Sequence, residues 1–185
     1  ARFHVGGVMT LRADLSVSQA QAIRDQYRQN ASLGQTLPLF FAIDAEPSLL
    51  RFRLPASSYT TNTKDIDTIE QSQESAALIS SIIQSYGYNL NFAPVIDSNG
   101  NETVISNRSY GGDAERIANL AKAFVDTSSE FNILTVAKHF PGHGSVTGDT
   151  HNSLQTVPGD LPELPQFRLL AEHNVPMVMA GHLAV

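Results

Sequence analysis

Five short apolar runs recur along the chain, near Gly6–Thr10, Pro38–Ile43, Asn89–Ala93, Ile133–Ala137 and Pro176–Ala180. Within them apolar residues are continuous instead of alternating with polar ones. A strand with one face in water alternates, whereas a strand buried on both faces does not. Such runs, separated by helical patterns, predict a parallel sheet covered by helices. A doubly wound sheet and a (β/α)8 barrel both satisfy this rhythm.

The helical patterns carry their own punctuation. Ser16-Val17-Ser18-Gln19 has capping-box spacing, in which hydroxyl and amide side chains satisfy free backbone N–H groups reciprocally. The helix it opens places Ala20, Ile23 and Tyr27 on one face and can stop at Gly34. A second helix is expected from Asp65 to Tyr86, with Gly87 as terminator. A third starts near Asp113 and buries Ile117, Leu120, Phe124 and Val125. A fourth follows Pro162, read as a first-turn proline, and uses Leu164, Phe167 and Leu170. Residues 51–64 and 97–112 are the longest irregular stretches, and both follow strand ends, where active-site loops belong.

Composition narrows the function classes. A chain of 185 residues can bury a core as one domain or as part of a larger one. The net charge of −6 argues against nucleic acid, which selects a basic patch. The absence of cysteine excludes disulfides and thiolate metal sites but leaves the compartment open. No run approaches transmembrane length, so no membrane span is expected, and no basic-then-apolar leader precedes Ala1.

The chemistry concentrates in one stretch. Lys138-His139-Phe140-Pro141-Gly142-His143-Gly144, followed by Gly148-Asp149-Thr150-His151, comes directly after the apolar run ending at Ala137. Lys138 and His139 are expected to leave the C-terminal end of that strand, and the glycines to allow a tight exposed loop. Loops at strand C-termini are where α/β folds keep their reactive groups. Asp149 and His151, two residues apart on an extended loop, can point the same way and share a hydrogen bond. A histidine titrates near neutrality and can give and take a proton in successive steps.

This stretch resembles the signature of family-3 glycoside hydrolases, specifically the bacterial β-N-acetylglucosaminidases, in which Lys-His-Phe-Pro-Gly-His-Gly leads to an Asp-Ser-His loop. Thr150 stands here where serine is usual. Further segments match in the family's order: Val5-Gly6-Gly7-Val8-Met9, Leu39-Phe40-Phe41-Ala42-Ile43-Asp44, Asn91-Phe92-Ala93-Pro94-Val95-Ile96-Asp97, Asn107-Arg108-Ser109-Tyr110 and Met177-Val178-Met179-Ala180-Gly181-His182. The resemblance selects the barrel, here truncated to about five strands and four helices, so that residues 1–185 form a partial N-terminal barrel domain. It implies a retaining, exo-acting hydrolase that releases terminal N-acetylglucosamine from cell-wall fragments or related glycosides, without cofactor or metal. By the same resemblance His151 is the acid/base and Asp149 orients it. Asp44, Arg108, Lys138 and His139 grip the sugar. His143 reads as a loop-shaping residue, Asp97 as a loop cap, and His182 as either a pocket residue or a structural one.

Two departures from the family carry expectations. Its usual Asp-Gln-Glu-Gly-Gly-Arg run is Asp44-Ala45-Glu46-Pro47-Ser48-Leu49 here, and losing both glycines predicts a reshaped loop around Asp44. The family's nucleophile aspartate follows a later strand, in a Ser-Asp-Asp-like run, and residues 1–185 hold no match to it. An early strand before Val5 is also without a match. The isolated segment is therefore expected to be inactive and to self-associate through open barrel edges. Three other readings compete: a metal-dependent barrel hydrolase using His139, His143, Asp149, His151 and His182; a phosphate or nucleotide binder at Gly142-His143-Gly144-Ser145; and a non-catalytic carbohydrate-binding relative.

Overall fold

The computed structural model describes residues 5–12, 14–31 and 39–185. Its main sheet has five parallel strands: β1 (Gly7–Thr10), β2 (Phe40–Ile43), β3 (Leu90–Asn91), β4 (Leu134–Phe140) and, skipping a short β5 (Gln155–Thr156), β6 (Met177–Ala180). The five runs read from the sequence are these five strands. Their spatial order, β1-β2-β3-β4-β6, follows the chain without reversal. A doubly wound sheet reverses its order at a switch point. This sheet does not, so it is an arc of a barrel. A separate parallel pair joins β5, between β4 and β6 in the chain, to β7 (Leu183–Ala184), just after β6.

Five helices accompany the strands: α1 (Val17–Ala31), α2 (Leu50–Arg53), α3 (Ile69–Ser85), α4 (Ala114–Glu130) and α5 (Leu164–Glu172). The expected capping box at Ser16 forms, with Ser16 N donating to Gln19 Oε1 at 2.9 Å and Gln19 N to Ser16 Oγ at 3.3 Å. The proposed stop at Gly34 lies outside the described residues. The second helix starts four residues later than expected. Thr68 and Gln71 make a capping box there, and residues 63–65 form a separate 3-10 turn. Asp113 caps α4 through Arg116 N. The proline in the first turn of α5 is Pro165 and not Pro162, because Glu163 occupies the cap position. The short helix α2 was not expected.

The helices pack on one side of the arc. Ile79 and Ile83 of α3, Phe124 of α4, and Phe41 and Ile43 of β2 share one apolar cluster; Ile117, Leu120, Phe167 and Leu170 join Ala137 in a second. The opposite face carries Ala42, Leu90 and Val136 with Phe92, Met177 and Met179. The inner strands β2, β3 and β4 are largely buried on both faces, which accounts for their unbroken apolar runs, whereas the edge strands β1 and β6 are partly exposed. The arc thereby aims every strand's C-terminal end at one rim, where the polar residues gather. Among the described residues, no helix is long and apolar enough to cross a membrane.

Candidate active site

Asp44 follows the last residue of β2, and Lys138 and His139 are the fifth and sixth residues of β4. The sequence reading put Lys138 and His139 just past a strand ending at Ala137. The strand instead continues to Phe140, with a register shift against β6 between Lys138 and Phe140 and a cis peptide between Lys138 and His139. These residues open into a cavity of about 380 Å³ at the C-terminal rim, lined also by Arg53, Phe92, Arg108, His143, Thr150, His151, Met179 and His182. All six residues expected at the site are near it: Asp44, Arg108, Lys138, His139 and His151 line the cavity, and Asp149 bonds His151.

The floor of the cavity is a closed network of charge. Lys138, 2% exposed, bridges Asp44 and Glu46, with Nζ 2.6 Å from Glu46 Oε1. Arg108 grips the same Glu46 with two donors, Nε at 2.8 Å and Nη2 at 2.7 Å. Arg53 Nη2 donates to Asp44 Oδ2 at 2.8 Å. Two carboxylates thus face three cations. Burial by itself would raise the Glu46 carboxyl, but the charges and hydrogen bonds of Lys138 and Arg108 outweigh it and hold that group well below the ordinary carboxylate range. Burial likewise opposes the Arg108 charge, and Glu46 more than restores it, so the guanidinium is held above its ordinary value.

Glu46 and Arg53 were missed as site residues. Glu46 had a usable signal, since it stands two residues beyond Asp44, the spacing that returns an extended chain to the same side. Arg53 had none, because it reaches Asp44 only through the turn that α2 makes. The expected reshaping around Asp44 has a definite form here. Ser48, in place of a glycine, is buried; its Oγ donates to Asn107 O at 2.7 Å and accepts from Thr63 N at 2.9 Å, pinning three loops together.

Asp97 does more than cap its own loop. It is fully buried and accepts from His139 N at 3.1 Å and His143 N at 2.7 Å, both more than forty residues away. Its Oδ2 also meets His139 Nδ1 at 2.6 Å. A carboxylate can only accept, so Nδ1 carries a proton and Nε2 is left as the ring nitrogen for other partners. Glu163, at the start of α5, clamps the same region, accepting from Ser98 N at 2.6 Å and Gly144 N at 3.3 Å. Gly142 adopts φ 132°, and a Cβ there would sit 2.4 Å from Glu163 Cβ, so the close approach requires glycine.

Asp149 and His151 sit at the cavity rim, and their side chains meet as expected, Asp149 Oδ1 lying 2.6 Å from His151 Nδ1. The local geometry differs from the extended loop foreseen. The chain turns at Thr150, with His151 N donating to Asp149 Oδ1 at 2.9 Å and Asn152 N to Asp149 O at 3.0 Å. The turn itself brings the two side chains together. The bonds from the His151 N–H and then its ring hold the Asp149 carboxyl below its ordinary value. The His151 side chain is 79% exposed. Among the described residues, no group of three or more His, Asp or Glu side chains is arranged to hold a metal ion.

A parallel strand–helix arc with acceptors, donors and an Asp–His pair around one cavity defines a polar small-molecule site of barrel type. The chain belongs to glycosyl hydrolase family 3: residues 1–185 match the description "Glycosyl hydrolase family 3 N terminal domain". It is 30% identical over 199 aligned positions to beta-hexosaminidase LpqI of Mycobacterium tuberculosis, covering 99% of this chain and 49% of that protein. The solved structure of a family 3 beta-N-acetylglucosaminidase from Paenibacillus sp. FPU-7 superposes with a TM-score of 0.86 at 32% identity, covering 98% of this chain and 36% of that one. The M. tuberculosis LpqI structure gives 0.80 at 30% identity, covering 100% and 55%. The chain spans about half the length of the curated relatives it matches.

Proposed function

We propose that the protein containing these residues is a retaining, exo-acting β-N-acetylglucosaminidase that releases terminal N-acetylglucosamine from cell-wall fragments or related glycosides. The observation that carries this is the Asp149–His151 contact at the rim of a cavity whose floor is fully ion-paired. Relatives named beta-hexosaminidase and beta-N-acetylglucosaminidase support the substrate class.

Chemistry follows from the donor set. Asp44, neutralised by Lys138 and Arg53, accepts from sugar hydroxyls, while Lys138, Arg108 and the free His139 Nε2 supply further hydrogen-bonding positions. His151, bonded through Nδ1 to Asp149, keeps Nε2 to donate a proton to the leaving oxygen and later to take one from water. Asp149 orients the ring and stabilises the imidazolium. Double displacement also needs a carboxylate nucleophile. Asp44 and Asp97 are both committed to partners, and by the family resemblance the nucleophile belongs to a Ser-Asp-Asp-like run after a later strand. Expressed alone, this segment is expected to bind sugar without turnover and to self-associate along β1 and β6, the edges of the described sheet. Mass measured in solution, with an aryl N-acetylglucosaminide assay, checks both.

The reading is tested by His151→Ala in the full polypeptide. Turnover of an alkyl glycoside, a poor leaving group, should fall on the order of 100- to 10,000-fold, and that of an activated aryl glycoside far less. Equal small losses on both substrates would remove His151 from acid/base duty. Loss of activity on exhaustive chelation would favour a metal-dependent hydrolase instead.

A further inference from the structure

We infer that His143, held as the neutral Nε2–H tautomer by Asn101, is the positioning residue that fixes the Asp149–Thr150–His151 turn at the cavity rim. The inference deepens the acid/base reading of His151 and rests on it.

The tautomer follows from the bonds around Asn101. Its Oδ1 accepts from Thr103 N and Val104 N, both at 3.1 Å, so the amide cannot be turned the other way without facing two donors. Its Nδ2 then points at Gly148 O at 3.0 Å and at His143 Nδ1 at 3.2 Å, with His143 O a longer third contact at 3.4 Å. An amide NH2 only donates, so His143 Nδ1 must offer a lone pair. The proton of the neutral ring is therefore on Nε2. That nitrogen lies 3.0 Å from Thr150 Oγ1, which accepts. Burial favours the neutral ring, pulling the His143 pKa below its ordinary value.

Thr150 is the residue between the two members of the proposed acid/base pair. Asp149 and His151 bond one another, and Asp149 also bonds Asn152 and Ser153, all within the turn. Among the described residues, the side-chain link from this turn to the body of the protein is Thr150 to His143. The far end of that link is rigid. His143 is 2% exposed, its N–H is held by Asp97, and Gly144 after it packs so closely that a Cβ would lie 2.1 Å from Ser98 O. Asn101 completes the link by holding Gly148 O, one residue before Asp149. A buried, immobile donor thus sets the height and angle of an exposed catalytic loop. Thr150 needs only its hydroxyl, so serine, usual in the family, serves equally.

The test has two independent parts, both in the full polypeptide. Nitrogen-15 spectra of labelled histidine should show His143 with Nε2 protonated and Nδ1 bare at pH 7; an Nδ1–H tautomer or an imidazolium would overturn the inference. Amide exchange at His151, whose N–H bonds Asp149, should quicken in Thr150→Val and remain slow in Thr150→Ser. Kinetically, Thr150→Val and His143→Phe should each lower kcat on an alkyl N-acetylglucosaminide by about 10- to 100-fold, with KM and the activated aryl substrate little changed. His143→Gln, which keeps a donor near Nε2, should recover part of the loss. The double variant should be no worse than the worse single one. Should His143→Phe fail to fold, the Thr150 pair still decides the matter, since that side chain is only half-buried. Full alkyl-glycoside activity in Thr150→Val would overturn the inference while leaving His151 as the acid/base. A His151→Ala variant without leaving-group dependence would remove that reading instead, with the tautomer and exchange results still judging the link.

Discussion

The floor and the rim of the cavity solve the same problem, holding charge in place, in opposite ways. At the floor Glu46 and Lys138 are almost wholly removed from water, and the cations and carboxylates come from four separated positions in the chain: 44–46, 53, 108 and 138. At the rim Asp149 and His151 stand two residues apart, His151 exposed and Asp149 partly so, and are bonded inside one turn. The floor therefore forms only when the fold forms, and it is organised before substrate arrives. The rim pair forms locally, and what it needs from the fold is placement. On the proposed function, sugar binding would be built on strand ends, where tertiary packing fixes geometry, and proton transfer on a loop that meets the leaving group from solvent.

The difference is broken most directly at Glu46. Glu46→Leu leaves Lys138 and Arg108 short of their shared carboxylate inside the protein, and stripping one partner from a buried pair costs about 3–5 kcal/mol. Chemical denaturation should register that loss. A variant as stable as the parent would show the floor to be far more hydrated than its burial indicates. The matching change at the rim, His151→Ala, should leave the melting temperature unaltered while removing alkyl-glycoside turnover, because the side chain is exposed. A large melting shift there would erase the contrast.

Asp97 joins the two regions and should give an intermediate effect. Asp97→Asn places an NH2 against His139 or His143 donors, leaving at least one buried N–H unpaired at a cost of about 1–3 kcal/mol. It also frees the His139 tautomer, so KM should rise more than kcat falls. An unchanged KM would separate His139 from sugar binding.

The same contrast explains what was legible in the sequence. The inner strands were legible because parallel strands buried on both sides do not alternate, and the edge strands β1 and β6, though partly exposed, carry the same continuous apolar runs; β5 and β7, two residues each, have no period to detect. Helix α2, four residues long, is likewise too short for an amphipathic signal. The rim pair was readable as Asp-x-His because its partners are only two residues apart. The floor was only half readable. Lys138 and Asp44 announced themselves at strand ends, but Glu46, Arg53 and the reach of Asp97 depend on loops that meet in space. Nothing at Arg53 signals Asp44 nine residues earlier, since Ser48, bonded to Thr63 and Asn107, helps set the turn between them.

The smallest effect concerns Glu163, which is as buried as the floor but lacks its cations. One oxygen serves Ser98 N and Gly144 N, and the other, Oε1, is buried without a hydrogen-bond partner among the described residues. Burial first, and then the nearby Asp97 charge, raise its carboxyl above the ordinary value despite those bonds. A carboxyl whose folded pKa is raised contributes stability that is fully present below the unfolded pKa of about 4.5 and is lost as pH rises through the folded one. Wherever the group ionises in the folded protein, that charge is therefore held at a cost in stability. Glu163→Gln keeps one oxygen for the two N–H groups and removes that charge, so the variant should melt higher than the parent at pH 7, with the advantage vanishing as the pH approaches 4. Glu46→Gln should behave in the reverse sense, because Glu46 is held low by its cations and its contribution is lost on acidification. Two buried carboxyls in one domain would then respond oppositely to the same substitution. If Glu163→Gln lowers the melting point at pH 7 as Glu46→Gln does, the carboxylate at Glu163 is worth more to the Ser98 and Gly144 amides than its burial costs, and the clamp belongs energetically with the floor.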